Sequence, residues 1–71
     1  MENAKAILTS QTIEGWRLIL SDAGRFWAFR QAPFSIDALR AGADPAVDAD
    51  TFAEVRDAVE RQEEIARQVT S

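Results

Sequence analysis

Cysteine, histidine and tyrosine are all missing from this 71-residue chain, and lysine occurs once, as Lys5. Without Cys there is no disulfide framework and no thiol nucleophile. Without Cys or His there is no zinc site of the common kinds and no imidazole acid–base group. No apolar run approaches the ~18 residues of a membrane span. The N-terminus lacks the basic start and apolar centre of a signal peptide. These absences predict one small domain over 1–71, cytoplasmic, with no membrane partner. Domains of this size commonly lean on a disulfide, a metal or a partner chain. Composition removes the first and leaves few ligands for the second, so self-association is expected before any motif is read.

What is present is unevenly placed. Residues 1–42 carry a net charge of +1 and residues 43–71 carry −5, which together make the −4 of the whole. Five of the six aromatic residues lie between Trp16 and Phe34. Arg outnumbers Lys seven to one and Ala is the commonest residue, a usage typical of GC-rich bacterial genes.

The aromatic part reads as a β-hairpin over 13–31. Gly15 to Ser21 and Arg25 to Gln31 are rich in the aromatic and branched side chains that suit a pleated surface. Between them Asp22-Ala23-Gly24 is a turn signal. A type I turn starting at Ser21 puts Gly24 in the left-handed region as a G1 bulge. That turn predicts Leu20 opposite Phe26, Ile19 opposite Trp27, Leu18 opposite Ala28, Arg17 opposite Phe29 and Trp16 opposite Arg30. Because side chains alternate along a strand, Trp16, Leu18, Leu20, Phe26 and Ala28 share one face. Ile19, Trp27 and Phe29 share the other, flanked by Arg17 and Arg25. Both faces are apolar, and one helix covers one face. The second face calls for another cover: the N-terminal segment, the 33–42 linker, or a second chain.

Residues 33–50 read as a linker with one helical turn, capped by Ser35 and closed at Gly42. Ala46-Val47-Asp48-Ala49 is a candidate third strand. Thr51-Phe52-Ala53-Glu54 is a capping box that opens a helix over 51–69, ~27 Å long. Its apolar positions include Val55, Val59, Ile65 and Val69 and fall within an arc of roughly 140°. This seam is expected to lie on the Trp16/Leu18/Leu20 face. Gln62 falls near its middle, where a polar residue either sets register between two chains or stands in water beyond the sheet. Asp57–Arg61 and Glu63–Arg67 are expected as i,i+4 ion pairs, with Glu60 and Glu64 repelling each other. Ala4, Ile7 and Leu8 suit a short helix or an edge strand.

The catalytic inventory is thin, and the expectation is no enzyme and no cofactor. Asp44, Asp48 and Asp50 fail as a calcium loop: counted from Asp48, position 6 is Ala53 and position 12 is Val59, where an EF-hand needs Gly and Glu. Gly24-Arg25-Phe26-Trp27 and Asp50-Thr51-Phe52-Ala53-Glu54, an aromatic hairpin followed by a capped helix, resemble the core of HicB-type antitoxins over about a third of the chain. The family's closing strand has no counterpart in the residues after the helix.

The reading is therefore an α+β domain: an antiparallel hairpin, with a candidate third strand, packed by one long C-terminal helix. The expected function is a non-enzymatic interaction or regulatory module, a homodimer or a protein's partner. Its interface would use Ile19, Trp27 and Phe29, with Arg17 and Arg25 at the rim, since aromatic and Arg residues are common anchors. The alternative is a nucleic-acid-associated regulator of the small antitoxin kind. In that reading Arg17, Arg25 and Arg30 frame aromatics that stack bases, against an overall pI of about 4.6.

Overall fold

Gly24 takes φ +79°, and its N–H donates to the Ser21 carbonyl at 2.9 Å while Ser21 N–H donates to the Arg25 carbonyl at 2.9 Å. The turn is thus the expected one. It sets the register of β1 (Trp16–Leu20) against β2 (Phe26–Arg30) with all five pairs as predicted. The computed structural model describes residues 11–70, so expectations for Ala4, Ile7 and Leu8 lie outside the described residues. The hairpin is shorter at its start than the 13–31 reading. Glu14 and Gly15 form a tight turn, with Gly15 at φ +83°, and Trp16 N–H donates to the Ile13 carbonyl at 3.0 Å. Ile13 is folded back beside Trp16 rather than extending β1.

After β2 the chain makes the short helix α1 (Ile36–Arg40), with Ser35 Oγ accepting from Ala38 N–H at 3.1 Å. The strand β3 (Ala46–Ala49) then pairs antiparallel with β2, giving a sheet of order β1-β2-β3. Helix α2 runs Phe52–Thr70. Its N-terminus is capped by Thr51 Oγ1, which accepts from Glu54 N–H at 3.1 Å. The architecture is α+β: three antiparallel strands in an open sheet packed against a C-terminal helix.

The core lies on the Trp16/Ala28 face. Trp16, Ala28, Phe34, Ala38, Ala43, Val55 and Val59 form one buried cluster, with Phe26, Val47, Ala49, Phe52 and Ile65 packed around it. Helix α2 lies against β3, α1 and β2 rather than over β1. Leu18 and Leu20 on β1 therefore stay half-buried instead of lying under the helix. The reason is the third strand: the sheet's centre moves to β2, and the helix follows it.

Candidate functional site

The two faces of the sheet differ in what holds them. On the inner face, Glu63 reaches down from α2 and joins three segments. Its Oε2 accepts from Trp16 Nε1 at 2.7 Å and from Arg30 Nε at 2.8 Å, and its Oε1 accepts from Arg30 Nη2 at 3.2 Å. The Arg30 guanidinium also lies 4.1 Å over the Phe34 ring and donates to the Ala32 carbonyl at 2.9 Å. Trp16 and Phe34 meet edge to face. A two-point carboxylate–guanidinium contact is among the stronger polar pairings. The hydrogen bonds from Arg30 hold the Glu63 carboxyl below the usual carboxylate range, against partial burial that pushes it up. A shallow groove of about 240 Å³ beside this cluster, between α1 and α2, is lined by Arg30, Phe34, Ser35, Ala38, Glu63 and Ala66. The charged groups there already satisfy one another.

The hydrogen bonds of Glu63 thus go to Trp16 and Arg30, while Arg67 acts on it through charge. Arg67 also bonds Glu60 and Glu64, and in doing so offsets the repulsion expected between those two. Helix geometry explains the exchange: Glu63 lies on the inward side of α2, where Trp16 and Arg30 wait, and Glu60 and Glu64 lie outside. Gln62 is also occupied within the chain. It is half-buried, and its Oε1 accepts from Asp44 N–H at 2.9 Å, tying α2 to the loop before β3. Of the remaining seam residues, Val55 and Val59 are buried, Ile65 is half-buried and Val69 is exposed.

On the outer face, the register brings Ile19, Trp27 and Phe29 together as expected, with Arg17 across from Phe29. The Trp27 and Phe29 rings stack at 6.0 Å with planes 6° apart. Ile19 is 39% and Phe29 37% exposed. The 33–42 linker does not cover this face. Phe34 and Ala38 carry it to the opposite side, into the core with Val55 and Val59. The three arginines are dispersed. Arg30 belongs to the inner face. Arg25 is bound by Asp48 and Asp50, which raise its pKa further, chiefly through the Asp48 hydrogen bond. Arg17 alone is exposed on the outer face without an ion pair among the described residues.

Asp44, Asp48 and Asp50, tested above as a calcium loop, are each engaged locally. Asp44 Oδ1 accepts from Ala46 N–H at 3.0 Å, and the other two hold Arg25. No acidic cluster suited to a metal ion occurs among the described residues, and no helix there is long and apolar enough to cross a membrane. A second apolar patch escaped the sequence reading. Ile36 and Leu39 on α1 are 66% and 45% exposed, while Ala38 between them is buried. The signal was the small residue: an Ala at the contact lets α1 approach α2 closely and turns its large neighbours outward.

No family model matches the chain, and no curated protein and no solved structure matches it at a significant level.

Proposed function

We propose that this is a non-enzymatic interaction module of the cytoplasm, a small regulatory or accessory protein that associates with a second copy of itself through the outer sheet face. The observation that carries this reading is the stacked Trp27–Phe29 pair on a face that neither helix covers. A prearranged aromatic pair with Ile19 beside it loses little side-chain freedom on docking, which is what makes aromatic residues effective anchors. Arg17 at the rim suits the acidic C-terminal part of another copy. Light scattering on an eluting size-exclusion peak tests the proposal at tens of micromolar protein. The expected result is a dimer that Trp27→Glu turns into a monomer with unchanged circular dichroism. A wild-type monomer at that concentration would overturn it.

The antitoxin-like reading is the alternative, with oligonucleotide bound through Arg17 and the stacked rings. It has less support, because Arg25 and Arg30 are neutralised within the chain and phosphate contacts need local positive charge. Retardation of an oligonucleotide at low salt, lost in Arg17→Gln, would favour it.

A further inference from the structure

The two edges of the sheet are unlike. On β3, the Ala46 N–H that points away from β2 is taken by Asp44, and the carboxylate of Asp48 is held on the strand by Arg25. Charges of this kind blunt an edge against further pairing. On β1, the hydrogen bonds of the hairpin fix which groups face outward. Ser21 N–H donates to the Arg25 carbonyl and Gln31 N–H to the Gly15 carbonyl, so the odd-numbered residues of β1 bond to β2 and the even-numbered ones face away. Leu18 and Leu20 therefore direct their N–H and C=O groups outward, and neither has a backbone partner there among the described residues.

We infer that β1 is a strand-addition edge whose occupant is the β1 strand of a second copy, paired antiparallel about a two-fold axis at Ile19. Ile13 selects the register. It already sits beside Trp16 and fills the place opposite it, so a partner strand must stop short of Trp16. Pairing Leu18 with the partner's Leu20, and Leu20 with the partner's Leu18, meets that limit. It makes four backbone hydrogen bonds and sets the two Ile19 side chains face to face on the outer surface. The two Arg17 residues then stand at opposite ends of the pairing. Four residues at ~3.3 Å each put them about 13 Å apart, beyond the ~8 Å Debye length of physiological salt. Helix α2 also leaves room. Its backbone packs on β3 and β2, and it meets β1 through Glu63 at Trp16, outside the paired stretch; the two β2 strands would lie three spacings of ~4.8 Å apart, wider than the ~10 Å diameter of a helix. The result is a six-stranded sheet, β3-β2-β1-β1-β2-β3, with both helices on one side. Edge pairing stands on backbone geometry and is independent of the face proposal above.

Amide hydrogen exchange of the full chain, followed by NMR at millimolar and at low micromolar protein, tests the inference. Leu18 and Leu20 N–H are expected to exchange at least ~10-fold more slowly at the high concentration, as amides gaining a hydrogen-bond partner do. Equal exchange at both concentrations overturns the inference. Protection that persists in dilute monomer does so as well, since it assigns the edge to another segment of the same chain. In oxidising buffer an Ile19→Cys variant is expected to form a dimer-linking disulfide faster than Leu18→Cys, and the reverse order would refute this register. The same exchange measurement on Trp27→Glu separates the two proposals: retained protection leaves the edge pairing standing even where the face reading fails.

Discussion

The inner and outer faces of one three-stranded sheet both carry aromatic and branched side chains and have opposite fates. The inner face is closed by α1 and α2 and fastened by a carboxylate that joins Trp16, Arg30 and α2. The outer face holds two stacked rings and an isoleucine that neither helix covers; Ile19 and Phe29 are exposed and Trp27 is half-buried. The difference teaches that apolar content and polar fastening act together: the inner face is the more apolar of the two, with Val47 and Ala49 beside Phe26 and Ala28, while Arg17, Arg25 and Asp48 interrupt the outer one. The inner face also offers polar groups that bind the incoming helix. Trp16 Nε1 and Arg30 supply donors that an inward Glu63 can use, whereas the polar neighbours on the outer face, Arg25 and Asp48, satisfy each other across strands.

The strongest way to break the comparison is Trp16→Ala. Truncating a buried aromatic costs about 3–5 kcal/mol, and here it also removes a donor from Glu63. Urea unfolding should show a large drop in midpoint. Next is Glu63→Gln, which keeps the size but loses the ion pair. The expected loss is about 1–3 kcal/mol, typical of a hydrogen-bonded charge whose partners are left behind. This variant also tests the pH dependence. The carboxyl of Glu63 is held below its usual value of 4.5, so its stabilisation is present above the unfolded carboxylate range. It is lost as the pH falls through the lower folded value. The wild type should therefore lose stability relative to Glu63→Gln below about pH 4.5; a constant gap between them down to acid pH would mean that the pair contributes nothing. Trp27→Glu should change the unfolding midpoint much less than Trp16→Ala while changing the association state. An equal loss of stability from both would erase the distinction between the faces. The smallest effect is expected for Arg25→Gln, whose ion pairs are half-exposed and solvent-screened: its thermal midpoint should differ from the wild type by no more than a few degrees.

Much of the hairpin was legible because one glycine governs it. Once Gly24 is placed in the left-handed region, five residue pairs and both face assignments follow, and they match the structure. The helix was legible for a similar reason, since Thr51 and Glu54 mark its start locally. The fastening of the inner face was not. Trp16 and Glu63 are 47 positions apart and Arg30 and Glu63 are 33 apart, and on a helical wheel Glu63 looks like one more exposed acid with Arg67 in reach. Gln62 misled in the same way: its partner is a backbone N–H of the loop at Asp44, which no pattern of side chains announces. The outer-face residues Ile19, Trp27, Phe29 and Arg17 were legible as a group through strand alternation. The commitment of Arg25 to Asp48 and Asp50 required knowing that β3 pairs beside β2.

The closing of the β3 edge by Asp44 reaches beyond one dimer. Strand addition that can occur at both edges of a sheet has no natural end, and it grows into cross-β fibres. With the outward Ala46 N–H occupied and charges at Asp48 and Arg25 beside it, pairing between copies is directed to an isologous contact that uses up the β1 edge on both. A single carboxylate on the Ala46 N–H would then be a chain terminator for assembly. Replacing it would free that N–H and open the β3 edge further to pairing.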